Sequence, residues 1–323
     1  MVSSEELKRK DEQPLASHEG AERYFESAGE SVKHLGPERG ESNEDAWFSD
    51  EAKGLFAVFD GMGGHSSGEV ASRMAKEYVE NAVRALREDV SVEELKTEIE
   101  RILNEASNRI LNDSLDKPEY RGMGTTASVV KLWKGPDNQR KAVIGNVGDS
   151  RVYVLRRNES LEQITLDDSR IREVSGNEEQ ARQLQASLND VEDPATLAEP
   201  ARSLFKTRNV ITQALGTFRA EPRMYVVDIH GGDTLLITSD GVHDNLTSKE
   251  ILDELMKVGG VAEEVDVLLQ KAKARSQEKH PRGEIDPETG EVKKHPRAKD
   301  DDMTAVVIKL GGPKESSSQN IVS

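Results

Sequence analysis

Leu55-Phe56-Ala57-Val58-Phe59-Asp60-Gly61-Met62-Gly63-Gly64-His65 is the stretch from which the fold is read. Its first five residues are an unbroken apolar run rich in β-formers, the pattern of a buried strand, and Asp60 stands where that strand ends. Ala46-Trp47-Phe48 just upstream supplies a partner, so the two runs read as a hairpin.

The segment from Gly68 to Arg87 places Val70, Met74, Val79, Val83 and Leu86 near a 3.6-residue period, and Leu95, Ile99, Ile102, Leu103, Ala106 and Ile110 repeat it. Two long amphipathic helices are expected, the second started by a capping box of Ser91 and Glu94. Strand signals follow at Gly124 to Val130, Ala142 to Val147 and Arg151 to Leu155. Gly148-Asp149-Ser150 reads as a tight turn between the last two. Residues 168–209 are polar and broken, with a short helical piece from Glu178 to Leu188, and are expected to form an insertion over the surface. Strands at Met224 to Ile229 and Thr234 to Thr238, helices at Ser248 to Val258 and Val261 to Ser276, and a last strand from Thr304 to Leu310 complete the pattern. Between the last helix and the last strand, residues 277–299 have the turn-rich composition of an exposed polar loop. The expected organisation is a disordered arm over 1–22, one domain over 23–311 and a disordered tail over 312–323.

The chain has 323 residues, 33% of them charged, and no cysteine. Disulfides, thiolate metal sites and cysteine nucleophiles are thereby excluded. A formal net charge of -17 argues against general nucleic-acid binding, which needs clustered Lys and Arg. No apolar run approaches the ~18 residues of a membrane span, and Met1 to Glu6 lacks the layout of a secretory signal. A cytoplasmic monomer without nucleic-acid or membrane partners is the expectation.

Beside Asp60-Gly61, four further acidic segments recur: Asn43-Glu44-Asp45, Gly148-Asp149-Ser150, Ser239-Asp240-Gly241 with Asp244, and Asp300-Asp301-Asp302 before Met303-Thr304. Alone, each is ordinary turn chemistry, since Gly takes positive φ and Asp bonds its own backbone. Together, most of them at strand ends, they point to one site for hard divalent cations such as Mg²⁺ or Mn²⁺, which prefer carboxylate oxygen. A pair of such ions can clamp a phosphoryl group and activate water.

These segments, with Gly68-Glu69-Val70-Ala71-Ser72, Gly124-Thr125-Thr126, Gly145-Asn146-Val147-Gly148-Asp149-Ser150-Arg151, Arg208-Asn209-Val210-Ile211-Thr212-Gln213-Ala214-Leu215-Gly216 and Thr238-Ser239-Asp240-Gly241, resemble the ordered motif set of the metal-dependent protein phosphatase (PPM) family, the type 2C serine/threonine phosphatases. The Gly-Met-Gly-Gly form of the second motif resembles the bacterial branch. The resemblance implies an α+β fold, a four-layer αββα sandwich of two central antiparallel β-sheets flanked by helices. It implies a centre of two Mn²⁺ or Mg²⁺ ions, with a place for a third, and hydrolysis of phosphoserine and phosphothreonine in a phosphoprotein substrate by a metal-activated water. Carried across, Asp60 bridges the two metals and the Gly61 carbonyl binds one. Asp240 and Asp301 hold the other, Glu44 and Asp45 bind a metal or orient its water, and Asp149 and Asp244 mark the third place.

Several positions depart from the family pattern. Gly40 stands where the family carries a phosphate-gripping arginine, and Arg39 lies one place earlier. Met62 replaces the histidine that animal members carry as a general acid, leaving His65, whose plainer reading is a loop residue without a chemical part. Leu166-Asp167-Asp168-Ser169 replaces a common Asp-His-Ser, and Asp302 replaces a common Asn and is not assigned as a ligand. The alternative these departures motivate is a non-catalytic PPM-fold binding or regulatory module.

Overall fold

Residues Leu55 to Phe59 are all buried, but not in one core: Leu55, Ala57 and Phe59 face helices, whereas Phe56 and Val58 face a second sheet. A strand covered on both faces has no reason to alternate, which is why the run is apolar throughout. Each large side chain so enclosed contributes about 1.5–3 kcal/mol relative to exposure.

The computed structural model describes residues 25–34, 42–63, 67–136, 138–257 and 259–311. The arm expected over 1–22 and the tail over 312–323 lie outside them, as do Arg39 and His65. In chain order the elements are β1 (Phe25–Val32), β2 (Asp45–Asp50), β3 (Leu55–Met62), α1 (Ser67–Arg84), α2 (Val92–Asp116), β4 (Gly124–Thr125), β5 (Ala127–Lys134), β6 (Arg140–Val147), β7 (Arg151–Leu155) and β8 (Leu161–Gln163). Then come α3 (Arg170–Val174), α4 (Glu178–Asn189), α5 (Ala201–Lys206), β9 (Arg223–Asp228), β10 (Thr234–Thr238), the single turn α6 (Asp240–His243), α7 (Ser248–Leu255), α8 (Val261–Ser276) and β11 (Met303–Leu310).

One sheet runs β2-β3-β5-β6-β9 with β4 beside β3, the other β1-β11-β10-β7-β8, and every pairing is antiparallel. Phe56, Val58, Val130 and Ile144 from the first sheet meet Val152, Ile237, Val306 and Ile308 from the second. On the outer faces, α1 and α2 cover the first sheet through Ala75, Val79, Ile99 and Leu103, and α7 and α8 cover the second through Ile251, Leu255, Leu268 and Leu269. The result is the four-layer αββα sandwich. Ser91 caps α2 in the expected box with Glu94.

Two local readings change. Gly148-Asp149-Ser150 does not close a hairpin: β6 belongs to one sheet and β7 to the other, so the turn carries the chain across the sandwich. Gly148, at φ +93°, serves a crossover as readily as a hairpin. The polar block 277–299 is exposed only in its outer arch. Its inner end is buried, with His295 and Arg297 at 7% and 2% exposure.

Candidate metal centre

Asp45 and Asp60 are cross-strand partners on β2 and β3, at the end of the sandwich where β10 stops and β7 and β11 begin. The acidic segments from both sheets therefore meet at one edge. Sheet registry holds this edge together. The Asp60 carbonyl accepts from Thr126 N at 2.8 Å and from Thr125 Oγ1 at 3.0 Å, and Asp60 N donates to Thr126 Oγ1 at 2.9 Å. Asp45 Oδ2 accepts from Ser239 Oγ at 2.7 Å and Thr304 Oγ1 at 2.6 Å, which sews the first sheet to the second.

Close backbone approach explains two glycines. A Cβ on Gly61 would lie 2.3 Å from the Gly68 carbonyl oxygen, and one on Gly241 would lie 1.9 Å from the Asp302 carbonyl oxygen. Neither position admits a side chain, so the Gly61 strand end and the first turn of α6 sit tightly against the acidic segments.

Buried carboxylates crowd this edge. Asp240, Asp301, Asp149 and Asp244 are 7%, 6%, 3% and 4% exposed. Burial pushes the Asp45 carboxyl well above the usual carboxylate range, and the charge of Asp60 adds to it, while the Thr304 and Ser239 hydroxyls oppose. Burial likewise raises Asp149, with Lys299 opposing and Asp167, Asp60 and Asp244 reinforcing. Among the described residues Asp45 Oδ1, Asp240 Oδ1 and Asp244 Oδ2 are buried without a hydrogen bond, the last with only the Lys299 ammonium 3.6 Å away. Orphaned anionic oxygens are costly, and a hard cation is the chemistry that satisfies them. The donor set thus fits divalent metal, although among the described residues no three carboxylates or imidazoles are already drawn into a cage.

Lys299 takes the middle instead. Its Nζ contacts Asp240 Oδ2, lies 3.2 Å from Asp301 Oδ2 and 3.6 Å from Asp244 Oδ2, and is largely buried. Sequence reasoning missed it because a lysine in a polar block has the composition of solvated loop. Asp302, which the sequence does not assign as a ligand, organises its neighbours: Oδ2 accepts from Glu44 N at 2.7 Å and Oδ1 from His34 N at 2.9 Å. An aspartate can accept both bonds, where an asparagine oxygen would leave its amide facing one donor.

Residues 168–209 form a flap with its own small core of Ile171, Leu188, Leu204 and Phe205. Asp168 ties its root to the site. Asp168 Oδ2 accepts from Gly148 N at 3.1 Å, its Oδ1 accepts from Arg223 Nε at 2.7 Å, and its carbonyl accepts from Thr212 N at 2.7 Å. Next to it the buried pair Arg151 and Asp167, at 2.7 Å, fixes the start of β7.

Of the residues singled out from the sequence, Glu44, Asp45, Asp60, Gly61, Asp149, Asp240, Asp244 and Asp301 all lie on the segments that converge here. Arg39 lies outside the described residues.

The family model described as protein phosphatase 2C matches residues 37–275. The serine/threonine phosphatase stp of Listeria welshimeri is 29% identical over 233 residues, covering 72% of this chain and 83% of that protein. Protein phosphatase PhpP of Streptococcus pneumoniae is 31% identical, covering 68% and 79%. Serine/threonine protein phosphatase PstP of Mycobacterium tuberculosis is 30% identical over 72% of this chain, which spans only 39% of PstP. Among solved structures, the catalytic domain of PstP in complex with two manganese ions superposes with a TM-score of 0.64 at 23% identity, covering 89% of this chain and 98% of that one. Stp1 of Staphylococcus aureus gives 0.66 at 23%, covering 93% and 100%. The family match and these relatives define a serine/threonine protein phosphatase. The chain belongs to the protein phosphatase 2C family.

Proposed function

We propose that this enzyme hydrolyses phosphoserine and phosphothreonine esters of protein substrates at a two-metal centre, with Mn²⁺ or Mg²⁺ as the ions. The observation that carries the reading is the set of buried carboxylate oxygens that make no hydrogen bond among the described residues, Asp45 Oδ1, Asp240 Oδ1 and Asp244 Oδ2, gathered from both sheets at one edge. The manganese ions of the PstP catalytic domain, which shares this fold, support the choice of metal.

Asp60 and the Gly61 carbonyl would help hold one ion, and Asp240 and Asp301 would hold the second. Glu44 and Asp45 would stand beside them, and Asp149 and Asp244 would offer a third place. Bound divalent ions supply Lewis acidity toward the phosphoryl oxygens and lower the pKa of water. The chain itself supplies positioning. Thr125 and Thr126 hold the Asp60 backbone, the Ser239 and Thr304 hydroxyls aim Asp45, and Asp302 fixes the Glu44 backbone by accepting its N–H. Arg39 is the proposed phosphate grip, because a guanidinium fork matches phosphate oxygens. No observation favours a non-catalytic module.

The test is hydrolysis of p-nitrophenyl phosphate and of a phosphothreonine peptide, with Mn²⁺, with EDTA and with Asp60→Asn. EDTA is expected to abolish turnover, and Asp60→Asn to lower kcat by roughly 10²-fold or more, comparable to removing a main electrostatic stabiliser. A wild-type enzyme indifferent to EDTA would overturn the metal mechanism, and an unaffected Asp60→Asn would overturn the assignment of Asp60 as a ligand.

A further inference from the structure

Lys299 is not a wandering surface side chain. Its backbone is clamped on both sides by Asn245, which accepts from Lys299 N at 2.9 Å through Oδ1 and donates through Nδ2 to the Lys299 carbonyl at 3.0 Å and the Gly241 carbonyl at 2.8 Å. Two residues earlier, the buried Arg297 guanidinium donates to the carbonyls of His243 at 2.9 Å and Leu246 at 3.1 Å, on either side of Asp244, and to Val191 at 3.0 Å at the end of α4. The strand of chain carrying Lys299 is thereby fastened to the same short turn that carries Asp240 and Asp244. Its ammonium then reaches Asp240, Asp301 and Asp244 together.

We propose that Lys299 is a tethered cation that occupies the Asp240–Asp244–Asp301 carboxylate cluster in the metal-free enzyme, and that a divalent ion must displace it to bind there. Three carboxylates brought together with no positive partner repel one another, and a buried charge without a partner is strongly destabilising. An ammonium on a four-carbon stem can neutralise them and still swing away, because its length and single point of charge let it move without disturbing the backbone. The lysine thus stabilises the empty site and raises the metal concentration at which it fills, since both cations draw on the same oxygens. The inference rests on the assignment of Asp240 and Asp301 as metal ligands.

The experiment is calorimetric titration of the chelator-stripped protein with Mn²⁺, together with the melting temperature of the stripped form, for the wild type, Lys299→Met, Lys299→Ala and Asp301→Asn. The wild type is expected to bind Mn²⁺ and Asp301→Asn to bind it much more weakly, which secures the ligands independently. Both lysine variants are expected to bind Mn²⁺ on the order of tenfold more tightly and, stripped of metal, to melt roughly 3 °C or more below the wild type. If one variant is insoluble without metal, the other carries the comparison, and Lys299→Arg, which keeps the charge, is expected to resemble the wild type in both readings. Unchanged Mn²⁺ affinity in the soluble lysine variants, or a stripped form as stable as the wild type, would overturn the proposal while leaving the ligand assignment intact. A wild type that takes up no Mn²⁺ would overturn the metal centre itself.

Discussion

Arg208, on the far end of the flap, forms an ion pair with Asp244 at 3.2 Å, and its guanidinium lies over the Phe205 ring at 4.4 Å. Phe205 belongs to the flap's own small core. The contact therefore joins two units that otherwise bury their apolar side chains separately: the flap and the turn after β10 that carries Asp240.

Removing that contact should loosen the flap before it loosens the sandwich. Arg208→Ala leaves Asp244 buried and deprives it of one cationic partner, a change of about 3 kcal/mol when a buried pair is broken. Hydrogen exchange in 168–209 is expected to accelerate at least tenfold while exchange in β3, β5 and β11 stays near that of the wild type. Equal acceleration throughout the protein would show that the pair serves global stability instead.

Asp302 makes a second, different prediction, because its carboxylate satisfies two backbone donors from distant segments. Asp302→Ala leaves the N–H groups of His34 and Glu44 without their acceptors, at about 1–3 kcal/mol each where water cannot replace the bond. Urea unfolding should show a loss of roughly 2–4 kcal/mol, and phosphatase activity should fall because the Glu44 segment is no longer held. Asp302→Asn should lie between, since it keeps one oxygen acceptor. Wild-type stability in Asp302→Ala would remove this role.

Acid sensitivity should trace in part to His295. Burial, then the neighbouring Arg275, pushes its imidazole below the ordinary value, and its Nδ1 accepts a hydrogen bond from Arg297 N at 3.1 Å. The folded state thus uses the neutral ring. Because the unfolded chain takes up the proton first, this stability is present above about pH 6.5 and is lost as pH falls from there through the folded value. His243, also held below its ordinary value by burial, acts in the same direction. His295→Asn, which cannot titrate, is expected to show a shallower fall in urea midpoint between pH 7 and pH 5. An unchanged slope would remove His295 from the acid response.

Much of the sandwich could be read from the chain because its central strands are covered on both faces and so stand out as apolar runs, with Asp60, Asp240 and Asp301 next to their ends, whereas the half-buried edge strands β1 and β8 carry no such run. The capping box at Ser91 and Glu94 is equally local, and it is found as expected. What escaped is long-range. A glycine at positive φ serves a hairpin and the crossing from β6 to β7 equally, so nothing local to Gly148 separates the two. Lys299 and Arg297 have the character of exposed loop in a polar block, and only their meeting with Asn245, Asp240 and the carbonyls around Asp244 gives them another. Asp302 looked like a conservative change, and its two backbone donors come from residues 268 and 258 positions away.

The outer arch of the polar block is joined to itself by the bridges Lys279 with Lys294 and Ile285 with Val292, and by bonds such as His280 N to the Lys293 carbonyl at 2.7 Å. Arg297 fastens the chain just inside those bridges. The tip from Asp286 to Gly290 therefore hangs beyond a closed neck and a separate anchor. It is a natural port for engineering, where a fluorophore, an affinity tag or a grafted recognition peptide can be inserted without passing mechanical load to the chemistry below.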